Sequence, residues 1–307
     1  MSEPARDIPF DRRLDAAPGE VRQVSPLVRR LIAPNGGPFT FTGTCGYIVG
    51  QGRVAVIDPG PDDPAHLQAW LAALGDEKVA HILVTHTHRD HSPGARALRA
   101  ATGAPIVGCA PHRPARALAA GEAATLDAAN DLDHAPDHVM AEGERVQGDG
   151  YSLAALATPG HTMNHLCFSL EQEAALFSGD HVMAWSTSIV APPDGAMDAY
   201  MAALEKLRGR AETVYWPGHG GPVREPQRFV RALLHHRWQR EASILNVLKG
   251  GPHGISDIVA SIYENLDPRL KGAAALSVFA HLEDLCARGV ARTAGAPTLS
   301  AVYELAG

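Results

Sequence analysis

The sequence lacks the features of a membrane-inserted or secreted protein. No apolar run approaches the roughly 20 residues that span a bilayer. The stretch from Met1 to Leu14 mixes acids, arginines and prolines and has no apolar core of signal-peptide type. The four cysteines are scattered without a CxxC pair, so they indicate neither a disulfide framework nor a thiolate zinc site; they are Cys45, Cys109, Cys167 and Cys286. We therefore expect a cytoplasmic protein with no membrane partner.

The chain also lacks an excess of basic residues and the usual signatures of side-chain nucleophiles. Its formal net charge is -7 over 307 residues, which does not favour a protein whose main function is to bind phosphate backbones. No Ser-His-Asp spacing and no Walker-type glycine loop stands out, and Ser188 has no base pattern around it. Histidine is abundant instead, with sixteen residues, many of them in short clusters. Clustered histidines favour chemistry that is carried out through bound metal ions.

The apolar pattern divides the chain into two zones. Up to about Arg224, short apolar strands alternate with helical stretches between Gly and Pro turns, which predicts a layered α/β fold. The segment from Pro111 to Asp149 is left unplaced and is a candidate mobile insertion. The predicted strands and helices of this zone are Tyr47–Val49, Val54–Ile57, Ala65–Leu74 (helix), His81–Val84, Pro93–Thr102 (helix), Ile106–Gly108, Leu153–Ala157, Leu166–Leu170, Ala175–Phe177, Ala199–Leu207 (helix) and Thr213–Trp216.

The second zone runs from about Glu225 to Gly307 and has a different pattern. Helical spacing over Phe229–Leu248 ends at a pair of glycines, and two shorter helices follow at Ile255–Tyr263 and Ala273–Ala287. Two strands are then predicted within Val290–Leu305. Helices followed by a terminal hairpin are typical of a winged-helix domain.

The run His86-Thr87-His88-Arg89-Asp90-His91 holds four ligand-type side chains within six positions, directly after a predicted strand. Imidazoles and a carboxylate that converge at a strand end suit borderline divalent ions such as zinc. Three later residues each follow an apolar strand and a glycine-containing turn; they are His161, Asp180 and His219. Ligands at the ends of neighbouring strands lie along one edge of a sheet, so the pattern predicts one metal site.

At this point the chain resembles the metallo-beta-lactamase superfamily. The resemblance rests on THTHRDH, TPGHT, SGD and PGHG, which begin at Thr85, Thr158, Ser178 and Pro217, and on the strand that ends in Val56-Ile57-Asp58-Pro59-Gly60. It implies a four-layer αβ/βα sandwich followed by the winged-helix-like domain, with a site for two divalent ions, most often zinc, with manganese or iron as alternatives. It also implies that His86, His88 and His161 hold the first ion, that Asp90, His91 and His219 hold the second, that Asp180 bridges both, and that Asp58 orients ligands.

Two positions narrow the resemblance. The flavodiiron oxygen reductases of this fold carry Glu where this chain has His88, which favours hydrolysis over redox chemistry. The resistance lactamases use Cys for the second metal, whereas Asp180 with His91 is similar to glyoxalase II and ribonuclease Z. The short gap between Asp180 and His219 leaves no room for the large inserted domain of some nucleases of this fold.

The second zone is similar to the beta-lactamase-like protein 2 group, whose animal members are linked to cleavage of single-stranded RNA. This similarity rests on His236-Arg237, Arg240-Glu241, Ala280-His281-Leu282 and Arg288-Gly289, together with His165 and Tyr200. It places a catalytic domain at residues 1–224 and a winged-helix-like domain at residues 225–307. The tail has nearly balanced acids and bases, so we expect it to pack as a structural cover, with nucleic acid a partner that the charge does not favour.

We expect a hydrolase that uses a metal-bridging hydroxide on an ester, thioester, lactone or related small substrate, with Asp90 as the proton-transferring residue. His165, Trp185 and Tyr200 are candidate substrate contacts. Three alternatives stay open: an endoribonuclease or phosphodiesterase acting on single strands, a persulfide dioxygenase-like iron enzyme, and a non-catalytic scaffold with a nucleic-acid-binding tail. The oligomeric state also stays open.

Overall fold

The structure is a computed structural model, and it describes residues 8–14, 16–118, 122, 129–263 and 266–307. The first sheet runs in chain order from β1 to β7. Its strands are β1 (Arg22–Ser25), β2 (Val28–Ile32), β3 (Cys45–Val49), β4 (Arg53–Ile57), β5 (Lys78–Val84), β6 (Ile106–Gly108) and β7 (His138–Val139). The strands from β1 to β4 pair antiparallel, whereas those from β4 to β7 pair parallel. The parallel pairs require crossovers, and helices α1 (Pro64–Leu74) and α2 (Gly94–Thr102) supply two of them.

The second sheet packs face to face on the first. Its strand order is β12-β11-β10-β9-β8, with β8 (Arg145–Gly148), β9 (Tyr151–Ala157), β10 (Leu166–Leu170), β11 (Ala175–Gly179) and β12 (Val214–Pro217). Helix α3 (Met197–Arg208) crosses over between the parallel strands β11 and β12. One apolar core joins the two sheets, and within it the rings of Tyr47 and Phe177 lie 5.1 Å apart. The near-continuous apolar runs of β3 and β10 follow from this arrangement, because both faces of these strands are buried.

The outer face of the second sheet is covered by helices, which completes the αβ/βα layers. Leu176 and Tyr215 of the sheet pack in a second core with Tyr200 of α3 and Phe229 of α4 (Pro226–Leu248). The N-terminal half of α4 therefore belongs to the catalytic layers. Ile244, near its other end, packs in a third core that belongs to the tail. The predicted boundary between residues 224 and 225 falls just before a helix that both cores share.

The tail has the predicted order of helices and hairpin. Helices α5 (Ile255–Ile262) and α6 (Lys271–Ala287) pack on each other, and a small sheet has the order β13 (His253–Gly254), β15 (Val302–Leu305), β14 (Ala291–Thr293). The pairing of β14 with β15 is antiparallel and forms the wing. No helix in the described part of the chain is long and apolar enough to cross a membrane.

The short polar strands differ from the strands that the apolar pattern predicts. β1 (RQVS) and β8 (RVQG) carry arginine and glutamine on partly exposed edges, so neither has the apolar run that indicates a strand. The unplaced segment from Pro111 to Asp149 contains β7 and β8 and is in part tied to the core, since Met140 is 3% exposed. Residues 119–121 and 123–128 of that segment, and residues 1–7 of the N-terminus, lie outside the described residues.

Candidate metal centre

The predicted ligands converge at the edge where several strands of both sheets end. The loop from His86 to His91 follows β5, His161 follows β9, Asp180 follows β11 and His219 follows β12. Side chains that are up to 133 positions apart in sequence therefore meet at one place, because strand ends of stacked sheets share an edge. Their ligand atoms fall into overlapping groups within 4.8 Å.

The first group consists of His86, His88, His161 and Asp180. His88 Nδ1 lies 3.1 Å from His86 Nε2 and 3.0 Å from His161 Nε2. Asp180 Oδ2 lies 3.7 Å from His161 Nε2. Three imidazole nitrogens and one carboxylate oxygen thus face a common point.

The second group consists of Asp90, His91 and His219. His219 Nε2 lies 3.1 Å from Asp90 Oδ2 and 3.3 Å from His91 Nε2. Asp180 also reaches this group, with its Oδ1 3.5 Å from His91 Nε2 and its Oδ2 3.3 Å from His219 Nε2. Asp180 therefore lies between the two groups, in the position that a bridging ligand would need.

Each imidazole hydrogen-bonds through the ring nitrogen that points away from the centre. His161 Nδ1 donates to the Ile189 carbonyl at 2.6 Å, and His219 Nδ1 donates to the Gly43 carbonyl at 3.3 Å. Such outward bonds fix the tautomer and leave the inward nitrogen with a free lone pair. The remaining outward contacts are His86 Nδ1 with Thr85 Oγ1 (2.9 Å), His91 Nδ1 with Asp58 Oδ2 (3.0 Å) and His88 Nε2 with Asp194 Oδ2 (2.9 Å).

Asp58 lies behind the ligands and contacts both groups through Thr85 and His91. It is 2% exposed, and its carboxylate accepts from the backbone N–H of Thr85 at 2.8 Å and from the Thr85 hydroxyl at 2.7 Å. Its Oδ2 also accepts from His91 Nδ1. Thr85 in turn contacts His86, so Asp58 orients one imidazole of each group. Its backbone has φ 48°, an uncommon left-handed conformation that turns the chain at the end of β4.

The electrostatics of the centre favour ionised carboxylates and move the pKa values of the imidazoles in opposite directions. Burial and the neighbouring histidines lower the pKa of His86 well below its usual value. Burial opposes ionisation of Asp180, but His219 and His91 outweigh it and hold the pKa of that carboxyl well below its usual range. For His219, burial is outweighed by Asp180 and Asp90, which raise the pKa to about 9.

These residues fit divalent metal ions. Asp180 Oδ1 is buried without a hydrogen-bond partner, although a buried carboxylate oxygen ordinarily has one. Histidine nitrogens and carboxylate oxygens are the donor set that zinc, manganese and iron accept. The backbone also makes room, because a Cβ at Gly218 would lie 2.4 Å from Asp180 Oδ1. A cation between these donors would satisfy the unpartnered oxygen.

The structure adds Asp194, which the sequence analysis did not identify. Its Oδ2 accepts from His88 Nε2 at 2.9 Å and from the Asn130 side chain at 3.2 Å, and its Oδ1 lies 2.9 Å from His112 Nε2. Burial is outweighed by the bonds from His112 and His88, which hold the pKa of the Asp194 carboxyl well below its usual range. Asp194 follows two prolines in a loop with no apolar strand before it, so the strand–turn–ligand pattern did not reveal it.

The burial of Tyr200 and His165 contradicts their expected role as substrate contacts. Tyr200 is fully buried, and its hydroxyl donates to the His181 carbonyl at 3.1 Å, so it packs against α4 instead of facing a substrate. His165 is 1% exposed and both ring nitrogens are engaged: Nε2 accepts from the Asp180 N–H at 3.2 Å, and Nδ1 pairs with Thr158 Oγ1 at 2.8 Å. His165 therefore positions Asp180.

Trp185 remains a candidate substrate contact. Its ring stacks on Phe41 at 5.1 Å with an interplanar angle of 17°. It also lies against Gly220, where a Cβ would approach Trp185 Cδ1 to 2.8 Å. Gly220 follows His219, so this aromatic pair borders the second ligand group. Of the two carboxylate ligands, Asp90 is the more exposed, at 26% of its side chain against 9% for Asp180.

Comparison with known proteins identifies the families that the two domains match. Residues 39–219 match the family model described as metallo-beta-lactamase superfamily, and residues 255–297 match the beta-lactamase-associated winged helix domain. The beta-lactamase-like protein 2 homolog of Caenorhabditis elegans is 29% identical over 88% of this chain and 88% of its own length. An atrochrysone carboxyl ACP thioesterase from Cryptosporiopsis is 30% identical over 75% of this chain; the match spans 65% of that relative, just under two thirds.

Solved structures show the same fold. A beta-lactamase domain protein from Burkholderia ambifaria superimposes with a TM-score of 0.77 at 21% identity, covering 95% of both chains. A metallo-beta-lactamase family protein from Thermus thermophilus gives a TM-score of 0.72 at 24% identity, covering 92% of this chain and 100% of its own. With a family model that matches more than half of its residues, this chain belongs to the metallo-beta-lactamase superfamily.

Proposed function

We propose that the protein is a two-metal hydrolase that cleaves acyl thioesters. The observation that carries the hydrolase proposal is the placement of Asp180 between two ligand groups whose imidazoles all turn one ring nitrogen inward. One ion would be held by His86, His88 and His161. The other ion would be held by Asp90, His91 and His219, and Asp180 would be shared by both ions. When bound, two such ions lower the pKa of a water molecule towards neutrality and polarise the substrate carbonyl.

Asp90 is the residue proposed to transfer the proton. Its Oδ2 lies 3.1 Å from His219 Nε2 and accepts from the Thr44 hydroxyl at 3.1 Å, so its carboxylate is fixed at one end. Burial is outweighed by His91 and His219, which hold the pKa of Asp90 well below its usual range, so its carboxylate is ionised. The proton that Asp90 takes from the attacking water would pass to the departing thiolate.

The thioester part of the proposal rests on the relatives and on the aromatic border of the centre. Relatives named as ACP thioesterases match about three quarters of this chain. The stacked pair of Phe41 and Trp185 beside the second ligand group presents apolar surface, which suits an acyl or pantetheine chain better than a row of phosphates.

Cleavage of single-stranded RNA is the second candidate, because of the winged helix and the beta-lactamase-like protein 2 relatives. In helix α6, however, the charged residues are Lys271, Glu283 and Asp284, a composition that does not attract phosphates. The same helix packs on the catalytic domain, since Ala280 lies in its second core and Glu283 accepts from Arg116 at 2.8 Å. This packing supports the role of a structural cover.

Thiol release from a panel of acyl-coenzyme A and acyl-pantetheine substrates tests the proposal directly. Protein loaded in turn with zinc, manganese or iron should release thiol faster from these than it hydrolyses aryl esters or lactones, and a chelator should abolish the reaction. His88→Ala should remove activity, whereas His235→Ala, at an exposed position of α4, should not.

The same preparations distinguish the alternatives. No thiol release at full metal occupancy contradicts the thioesterase proposal. Cleavage of labelled single-stranded RNA that is lost in His88→Ala would favour the second candidate, and oxygen uptake with a persulfide by the iron-loaded protein would favour a dioxygenase.

A further inference from the structure

A cavity of about 560 Å³ lies between the catalytic domain and the tail. This volume falls within the roughly 300–1,000 Å³ of pockets that bind small molecules. One wall comes from the loop that carries Phe39 and Phe41 and from the segment Met183–Ile189 of the catalytic domain. The other wall comes from helices α4 and α6 and from the residues that follow α5. The cavity therefore exists only because the tail packs beside the centre.

The two walls are aromatic and apolar. Phe39 and the stacked rings of Phe41 and Trp185 line the catalytic side, and Tyr263 and Leu266 line the tail side. Phe39 is 54% exposed, and Phe10 and Leu270 of the same lining are exposed as well, so together they present an apolar surface to solvent. The walls thus suit an apolar chain.

The cavity carries positive charge without a compensating carboxylate. Arg12, Arg237 and Arg240 line it, whereas the described lining residues include no aspartate or glutamate. This local excess contrasts with the net charge of -7 for the whole chain. Arg240 lies over the Tyr263 ring, with its guanidinium carbon 4.0 Å from the ring centroid, and so is held at the cavity wall. An anionic group is the complementary ligand.

Several buried N–H groups around the cavity have no partner. Arg237 is 3% exposed; its two terminal nitrogens donate to Ser277 Oγ at 3.2 Å and to the Ser188 carbonyl at 2.5 Å, but its Nε has no partner. Trp185 Nε1 and Arg240 Nε are also buried and unpartnered. A buried donor without a partner costs free energy, so a small shift of these side chains towards a ligand's acceptor oxygen would be favourable.

One segment separates the cavity from the metal centre. Ile189 and Ser188 line the cavity, and the Ile189 carbonyl accepts from the ligand His161. The Ser188 hydroxyl donates to the backbone carbonyl of the ligand Asp180. A chain that lies in the cavity therefore runs beside the backbone that orients two of the ligands.

We infer that this cavity binds the phosphopantetheine arm of the thioester substrate, with the phosphate towards Arg240 and Arg237 and the apolar arm along Phe39 and Trp185. This inference rests on the proposed thioesterase function and deepens it. Coenzyme A and a phosphopantetheinylated carrier protein share this arm, so both would present the same chemistry to the cavity.

Equilibrium binding of two thioethers tests the inference on the full metal-loaded chain. S-methyl phosphopantetheine and S-methyl pantetheine differ only in the phosphate, and neither is hydrolysed. Titration calorimetry should show that the phosphorylated probe binds at least about 10-fold more tightly, because a charge-assisted hydrogen bond contributes at least that factor. S-methyl coenzyme A and an S-methylated carrier protein present the same phosphorylated arm from two different sources. Whichever of them binds identifies the natural source of the arm, and both should bind if the cavity accepts both.

Variants complete the test. Arg240→Gln should abolish the preference for the phosphorylated probe, whereas Arg228→Gln, on the same helix but 51% exposed and paired with Glu225, should preserve it. Phe39→Ala, at an exposed position that the fold does not require, should weaken both probes about equally. Equal affinity for the two probes, or an unchanged preference in Arg240→Gln, overturns the inference. If the protein binds the thioether probes with this phosphate dependence but releases no thiol from acyl-coenzyme A or acyl-pantetheine, the thioesterase function is contradicted and the assignment of the cavity's ligand stands.

Discussion

Replacement of Asp194 with alanine is expected to weaken one metal position while the fold persists. Asp194 accepts from His88 Nε2 at 2.9 Å and is the carboxylate that fixes the outward nitrogen of this ligand. In Asp194→Ala the His88 ring loses that bond, so it is free to rotate and to exchange its tautomer. His112 and Asn130 lose the same partner.

The size of the effect follows from the role of the bond. Partners that orient a metal ligand typically contribute 10- to 100-fold to metal affinity, so Asp194→Ala should cost about 1.4–2.7 kcal/mol of binding free energy at the first group. Asp194→Asn keeps one acceptor oxygen and should lose less. The second group, which includes Asp90 and His219, does not contact Asp194 and should retain its affinity.

Competition against a fluorescent zinc chelator measures both binding events. Only one of the two affinities should fall in Asp194→Ala, and the control Asp198→Ala, at an exposed position four residues later, should match the wild type. Superimposable zinc-binding curves for Asp194→Ala and the wild type would refute the reasoning that this carboxylate orients His88.

Two further outcomes follow from the structure. Gly218→Ala would place a Cβ 2.4 Å from Asp180 Oδ1, so it should displace the shared ligand and lower zinc affinity at least about 10-fold. Gly209→Ala, which meets no close contact, should leave zinc affinity unchanged. Equal zinc affinities of Gly218→Ala and the wild type in the same competition assay would contradict this expectation. Burial, with Arg237 and other cations nearby, lowers the pKa of His281 from 6.5 to about 3, so the unfolded chain binds a proton there that the folded chain does not. Stability should therefore fall as the pH drops below 6.5, by about 2 kcal/mol at pH 5 from this group. Urea titrations at pH 7 and pH 5 measure this change in the free energy of unfolding. Between these pH values His281→Leu should lose about 2 kcal/mol less stability than the wild type, whereas His235→Gln, at an exposed position, should lose as much as the wild type. If His281→Leu loses as much stability as the wild type, this histidine is not responsible.

The signal that predicts the ligand set is local. The run from His86 to His91 directly follows an apolar strand, and the three later ligands each follow an apolar strand and a glycine-containing turn. Because strand ends of stacked sheets share an edge, this pattern predicts that residues as distant as His86 and His219 lie together. The family match confirms the superfamily and the winged helix. The individual metal roles stay predictions that the geometry supports.

The surroundings of the ligands were not predictable, because they depend on packing between distant segments. Asp194 contacts His88 across 106 positions, through a loop without periodicity. Tyr200 and His165 are candidate substrate contacts in the sequence, yet the packing of α3 on α4 buries Tyr200, and the backbone N–H of Asp180 donates to His165. Short charged strands such as β1 were not predictable for the same reason, because they form by pairing with a neighbouring strand and have no apolar run of their own.

Metal content measured together with thioester turnover tests the two-metal site most directly. Native protein should contain two equivalents of divalent metal per chain, and thiol release should rise as the second equivalent is added to stripped protein. Asp180→Ala, which removes the shared ligand, should bind less than two equivalents and release no thiol. Full thioester turnover with one equivalent or none, or full turnover in Asp180→Ala, would contradict the two-metal site.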